Sequence, residues 1–247
     1  MEWIRKFFWI LCLPGILLIT GCEESPTKSE DPDVVPRQSR KLGYHITPAA
    51  GQEYEGAIDV AMALNMDVLP FTMVWSDFDT TTGYNHEFLT IMNIFYPAYD
   101  LPLSLNITPI HAVSRAFPEG LESYSFSSDT VISRFTTFLD TVHAAIPDVE
   151  LNNILFGNEP DLYFMSHEDE WDDFATFYAA AVAHARSLWG DDVPIGVEAT
   201  FVGLTGEFES QMQAVNQHSD IIAFTYYPLN GDFTMQDPAV FGPMLDA

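Results

Sequence analysis

The sequence predicts an α/β fold, a (β/α)8 TIM barrel, and three observations predict it. Short apolar runs alternate without a break with amphipathic stretches from Leu42 onward, the pattern of parallel strands with helices packed outside them. The turn after the first run, TPAAGQEYEG, holds neither GxGxxG nor a phosphate loop, so the fingerprint of a doubly wound nucleotide binder is missing. Polar side chains gather at the C-terminal ends of nearly every run, and that rim is where a barrel assembles its active site from several strands.

Taken in order, LGYHIT (42–47) reads as the first strand, with His45 near its end. Residues 53–65 set Tyr54, Ala57, Ile58, Ala61 and Leu64 on one helical stripe. VLPFTMVW (68–75) is the second strand, followed by Ser76 and Asp77. Residues 86–96 carry Phe88, Ile91, Met92 and Phe95 at helical spacing, and LPLSLNIT (101–108) is the third strand, with Asn106 and Thr108 near its end. The next helix opens on capping residues and aligns Val131, Phe135, Phe138, Leu139 and Val142. LNNILFGN (151–158) is the fourth strand. A long amphipathic helix over 170–189 comes next, then VPIGVEATF (193–201), a helix over 207–217, IIAFTYYP (221–228), and the start of a sixth helix at DPAVFGPMLDA. A closed barrel needs eight strand–helix units and about 250 residues. Six are legible here, so the sequence is expected to be part of a barrel that stops before strands seven and eight. Such a fragment would leave two strand edges open.

The first 22 residues stand apart. Arg5 and Lys6 precede the apolar run FFWILCLPGILLI, and ITGC comes after it, with small Gly21 ahead of Cys22. This is secretory-signal architecture, too short and wrongly flanked for a membrane span. Its ending resembles a bacterial lipobox, which implies lipidation of Cys22 and a place on the cell envelope, at the outer membrane or on the periplasmic or cell-surface side. An ordinary signal peptide with a chance cysteine is the alternative. Cys12 and Cys22 are the only cysteines, so the mature domain offers no disulfide or thiolate chemistry. Residues 23–40, polar and proline-bearing, read as a flexible tether, and 41–247 as the partial barrel domain. The 247 residues hold 9 basic and 36 acidic side chains, a net charge of −27. Such a surface repels nucleic acid and anionic headgroups. The membrane partner is therefore expected through the lipid alone.

The chemistry concentrates in LFGNEPDLY (155–163), where an apolar strand ends on Asn158, Glu159 and Pro160. A carboxylate at an apolar barrel mouth is costly to ionise without compensation, so its pKa is expected to rise, as a general acid near neutral pH requires. Glycoside hydrolysis needs such an acid beside the leaving oxygen. It also needs a second carboxylate, about 5 Å away for retention or about 6.5–9.5 Å for inversion. Asn158 is placed to hydrogen-bond a sugar hydroxyl.

A strand-four ending of Asn-Glu-Pro resembles clan A, the TIM-barrel superfamily of glycoside hydrolases. IIAFTYYPLNGDF is similar to the strand-six end of its endo-galactanase-like members, and LPLSLNITPIHAVSRAFPEGL and VPIGVEATF resemble uncharacterised lipoproteins of the group. The resemblance implies that Glu159 is the acid/base, that a tyrosine approaches the nucleophile, and that a glutamate on strand seven is that nucleophile, with retention of configuration. No Glu-x-Gly-Tyr-Pro stretch is present. The nucleophile is therefore expected beyond residue 247, and this chain by itself is expected to be inactive. Glu198 is the other strand-end glutamate, read as a substrate-binding or hydrogen-bonding acid. By strand alternation Tyr227, rather than Tyr226, faces the site. Trp75 is either a sugar-stacking platform or a core tryptophan; His45 and Asn106 either bind hydroxyls or serve structure. The acids of SHEDEWDD (166–173) suit a helix start, and the histidine that HExxH needs at position 171 is replaced by Trp171. No metal and no cofactor is expected. The carbohydrate partner suits two functions, a glycosidase on a β-linked poly- or oligosaccharide and a non-catalytic carbohydrate-binding lipoprotein on a degenerate barrel. A two-lobed solute-binding lipoprotein fits poorly with the uninterrupted alternation of units.

Overall fold

A computed structural model describes residues 39–237 apart from Gln52 and Gly231. The signal segment with Cys22, most of the tether and all but the first residue of the sixth predicted helix lie outside the described residues. Five parallel strands form the main path of the sheet, β1 (Leu69–Val74), β2 (Leu103–His111), β3 (Leu151–Asn158), β4 (Ile195–Thr200) and β5 (Ala223–Thr225), and the short stretch Ser114–Arg115 pairs antiparallel with the end of β2. The five lie side by side in chain order, with β1 and β5 at the edges among the described residues. The helices are α1 (Tyr54–Ala63), α2 (His86–Ala98), α3 (Asp129–Ala145), α4 (Pro160–Phe164), α5 (Trp171–Trp189), α6 (Phe201–Thr205) and α7 (Glu209–Asn216). Neighbouring strands that run parallel need a crossover between them, and each connection here carries a helix. The first predicted strand is reduced to a single parallel bridge between Gly43 and Val68, so the fourth predicted strand is β3.

The helix periodicities are largely met, because packing against the sheet makes them necessary. Ser128 caps α3 by accepting from the Val131 N–H at 3.3 Å, and all five expected stripe residues of α3 are buried. In α2 the buried stripe is Leu89, Met92 and Tyr96, while Ile91 is exposed. Two apolar stripes share Met92 on that helix; Leu89 and Tyr96 go to the core, while Phe88 of the other stripe stacks half-buried on Phe71 of β1. Phe135 and Phe177 lead the aromatic layer between sheet and helices, and Phe156 of β3 packs on Phe135 with ring centroids 5.6 Å apart.

Trp75 belongs to this layer. The chain leaves β1 in a single helical turn, Trp75–Phe78, which carries the indole under the sheet end rather than out to the rim. It is fully buried, against Phe117, Phe135 and Phe177, and its Nε1 donates to Asp79 at 3.2 Å. Asp79 is also fully buried, and Arg134 of α3 pairs with both of its oxygens. A buried carboxylate without such a partner would be strongly destabilising. No face of Trp75 is available to a sugar, so the core reading is the one its surroundings support.

Candidate active site

Gly157 prepares the site. Its φ of +105° is readily available only to glycine, and it coincides with register shifts against both neighbouring strands. The β2 pairing passes from Ile107–Phe156 to His111–Asn158, and the β4 pairing from Leu155–Gly196 to Asn158–Glu198. A bulge of this kind bends the strand and re-aims the residues after it. Glu159, two positions on, is itself left-handed at φ 52° and ψ 51°, a conformation costing an L-residue roughly 1–2 kcal/mol. Such strain persists only where the surroundings impose it. Here Pro160 opens α4 at its first position, where a missing N–H costs nothing, and the Glu159 N–H donates to the Glu198 carbonyl at 2.7 Å.

The Glu159 carboxyl lies toward β5, where the Thr225 hydroxyl donates to its Oε1. It lines a hollow of about 520 Å³ walled by Phe201 and Val202 of α6 and by Tyr226 and Tyr227. Asn158 is turned the other way, its Nδ2 3.2 Å from Nδ1 of His111 at the end of β2. Asn106 reaches across from β2, and its Nδ2 donates to Glu198 Oε2 at 2.8 Å; its own Oδ1 is buried and unpartnered. The barrel mouth thus joins Glu159, Glu198 and Asn106.

Burial pushes the Glu198 carboxyl above the ordinary glutamate value; the Asn106 bond opposes this, the Glu159 charge adds to it, and His45 opposes it. A raised folded-state value means that ionisation weakens the fold. The contribution of Glu198 is intact below the ordinary glutamate range and is lost as pH rises through the raised value. Glu198→Gln, which cannot ionise, is therefore expected to raise the thermal midpoint relative to wild type near pH 7 and to leave it unchanged at about pH 4. An equal gain at both pH values would refute the assignment.

Other predicted residues fall less centrally. His45 is exposed and borders a separate hollow of about 570 Å³, otherwise mostly apolar, beside Phe71, Phe88 and Phe95, although its charge reaches Glu198. The last strand ends at Thr225, so strand alternation does not extend to the two tyrosines, and both line the same hollow. Tyr226 donates to Gln236 at 3.1 Å and packs on Phe201, whereas Tyr227 is 70% exposed. Glu170, read as part of a solvated helix start, pairs with Arg115 and accepts from Tyr163.

Two residues of this region escaped the sequence reading, His111 and Asp161; Thr200 and Thr225 were legible as polar positions at the ends of their strands, though not by partner. Nothing in the spacing of His111, Asp161 or Thr200 marks their partners.

No family model matches the chain, and no curated protein matches it. Solved structures do. The exo-β-1,4-mannosidase Op5Man5 from Opitutaceae bacterium strain TAV5 superposes with a TM-score of 0.60, at 14% identity, covering 76% of this chain and 38% of that one. For a structure of two fungal β-1,4-galactanases the TM-score is 0.58 at 13% identity, covering 77% of this chain and 64% of that one. The described residues fold as part of a TIM barrel. A glucosidase from Croceicoccus marinus superposes on this barrel at 0.51, with 14% identity over 76% of the chain and 43% of its own. The barrel described here matches 38% to 64% of the lengths of these three structures, and likeness at such identities speaks for the fold.

Proposed function

We propose that the protein is a retaining β-glycoside hydrolase acting on a poly- or oligosaccharide, with Glu159 as its acid/base. The observation that carries this reading is a glutamate in strained left-handed backbone at the C-terminal end of a barrel strand, its carboxyl lining a hollow. Glu159 protonates the glycosidic oxygen as the bond to the anomeric carbon breaks and a second carboxylate attacks that carbon. It then takes a proton from the water that releases the sugar. Asn158, oriented by His111, holds the sugar's 2-hydroxyl, and Glu198, steadied by Asn106, accepts or donates to a further hydroxyl. Tyr226 and Tyr227 flank the sugar. The nucleophile is supplied from outside the described residues. The similarity of the barrel to mannosidase and galactanase structures supports a β-linked substrate.

The test is hydrolysis of aryl β-mannosides, β-galactosides and β-glucosides by the product of the whole gene, with the first-formed anomer read by NMR. A β product is expected. An α product overturns retention, and sugar binding without hydrolysis favours the non-catalytic binder. We also propose that a lipid on Cys22 anchors the protein to the cell envelope; fractionation with and without Cys22→Ala checks this, and a wild-type protein found in the soluble fraction overturns it.

A further inference from the structure

Asp161 stands two residues beyond Glu159, 2% exposed, and both of its carboxylate oxygens are committed to one partner. Oδ1 accepts from the Thr200 N–H at 2.9 Å and Oδ2 from the Thr200 hydroxyl at 2.5 Å. The same hydroxyl oxygen accepts from the Gly203 N–H at 2.8 Å, capping α6. Gly203 is small of necessity, since a Cβ there would lie 2.4 Å from Asp161 Oδ2. One carboxylate therefore ties together three parts of the mouth: α4, of which Glu159 is the N-cap; the end of β4, whose Glu198 carbonyl receives the Glu159 N–H; and α6, whose Phe201 and Val202 wall the hollow.

We propose that Asp161 is a positioning residue that, through Thr200, holds Glu159 in its left-handed backbone and sets the α6 wall of the hollow at the same time. This rests on the acid/base reading of Glu159. A left-handed glutamate ahead of a helix has an easy escape, which is to join the helix as a right-handed first residue. That rotation would swing its carboxyl away from Thr225. The latch opposes it by fixing α4 against β4 immediately after Glu159. A simple helix cap needs one accepted bond, whereas this carboxylate accepts two from a different strand, and a buried carboxylate is costly unless such bonds compensate it.

The test compares Thr200→Val, which removes the hydroxyl at constant size, with Thr200→Ser, which keeps it, and with Asp161→Asn. The first readout is the titration of the Glu198 side-chain carbon by ¹³C NMR, with and without Glu159→Gln. In the latched protein, removing the neighbouring Glu159 charge lowers the Glu198 midpoint. In Thr200→Val that displacement is expected to fall to about half or less, since coupling weakens with separation, and Thr200→Ser is expected to restore it. A displacement of full size in Thr200→Val overturns the proposal. The second readout is kcat on an aryl β-glycoside, expected to fall about tenfold to a hundredfold with little change in KM; a rise in KM alone also overturns it. Should the glycosidase reading fail, wild type hydrolyses nothing while the carboxyl titration still reports on the latch, so the two failures are distinct. Should Asp161→Asn not fold, the threonine pair carries the result.

Discussion

Glu159→Gln is expected to slow hydrolysis about 10²- to 10⁴-fold, the usual range for losing a general acid/base. Glutamine keeps the size of the side chain and an oxygen to accept from Thr225, so the fold is expected to survive and the loss to be chemical. The deficit depends on the leaving group. A poor one needs a proton at departure, whereas a dinitrophenolate leaves without one. Breaking the bond to a dinitrophenyl glycoside should therefore be nearly as fast in the variant, and the deficit should move to the second step, where water needs a base. Steady-state and burst kinetics on the two substrate types measure this. Equal rates for variant and wild type on the poor leaving group would remove Glu159 from the mechanism.

Trp75→Ala is expected to cost about 3–5 kcal/mol of stability, as buried tryptophan truncations do. The indole is in ring contact with Phe117, Phe135 and Phe177, so alanine leaves a cavity under the end of β1 that these rings cannot all fill. Asp79 would also lose the indole N–H while keeping Arg134. Against a typical domain stability of about 5–15 kcal/mol the loss is large, and urea unfolding reads it directly. A variant that keeps its unfolding midpoint and loses only affinity for sugar would return Trp75 to the role of a stacking platform.

These two residues mark how far the sequence is legible. Glu159 could be placed because strand period, proline and glycine coincide there: an apolar run, a bend and a carboxylate in immediate succession. The same local cues located most of the elements, β3 to the residue, since burial on a parallel sheet enforces them. Trp75 was ambiguous because it sits where a strand gives way to a helical turn, and a one-residue change of direction there decides between rim and core. In α2 two overlapping stripes were possible, and only the packed structure decides that Leu89, Met92 and Tyr96 are the buried one.

By itself, then, the sequence determined the alternation of strands and helices, the barrel class and the strand end that carries Glu159, because each depends on side chains close together in the chain. The tertiary structure alone decided that Thr225 would meet Glu159, that Asn106 would steady Glu198, and that Asp161 would close on Thr200. Those contacts join residues 39 to 92 positions apart. They arise from strand order, the bulge at Gly157 and the close approach at Gly203, quantities that exist only when the strands are laid side by side.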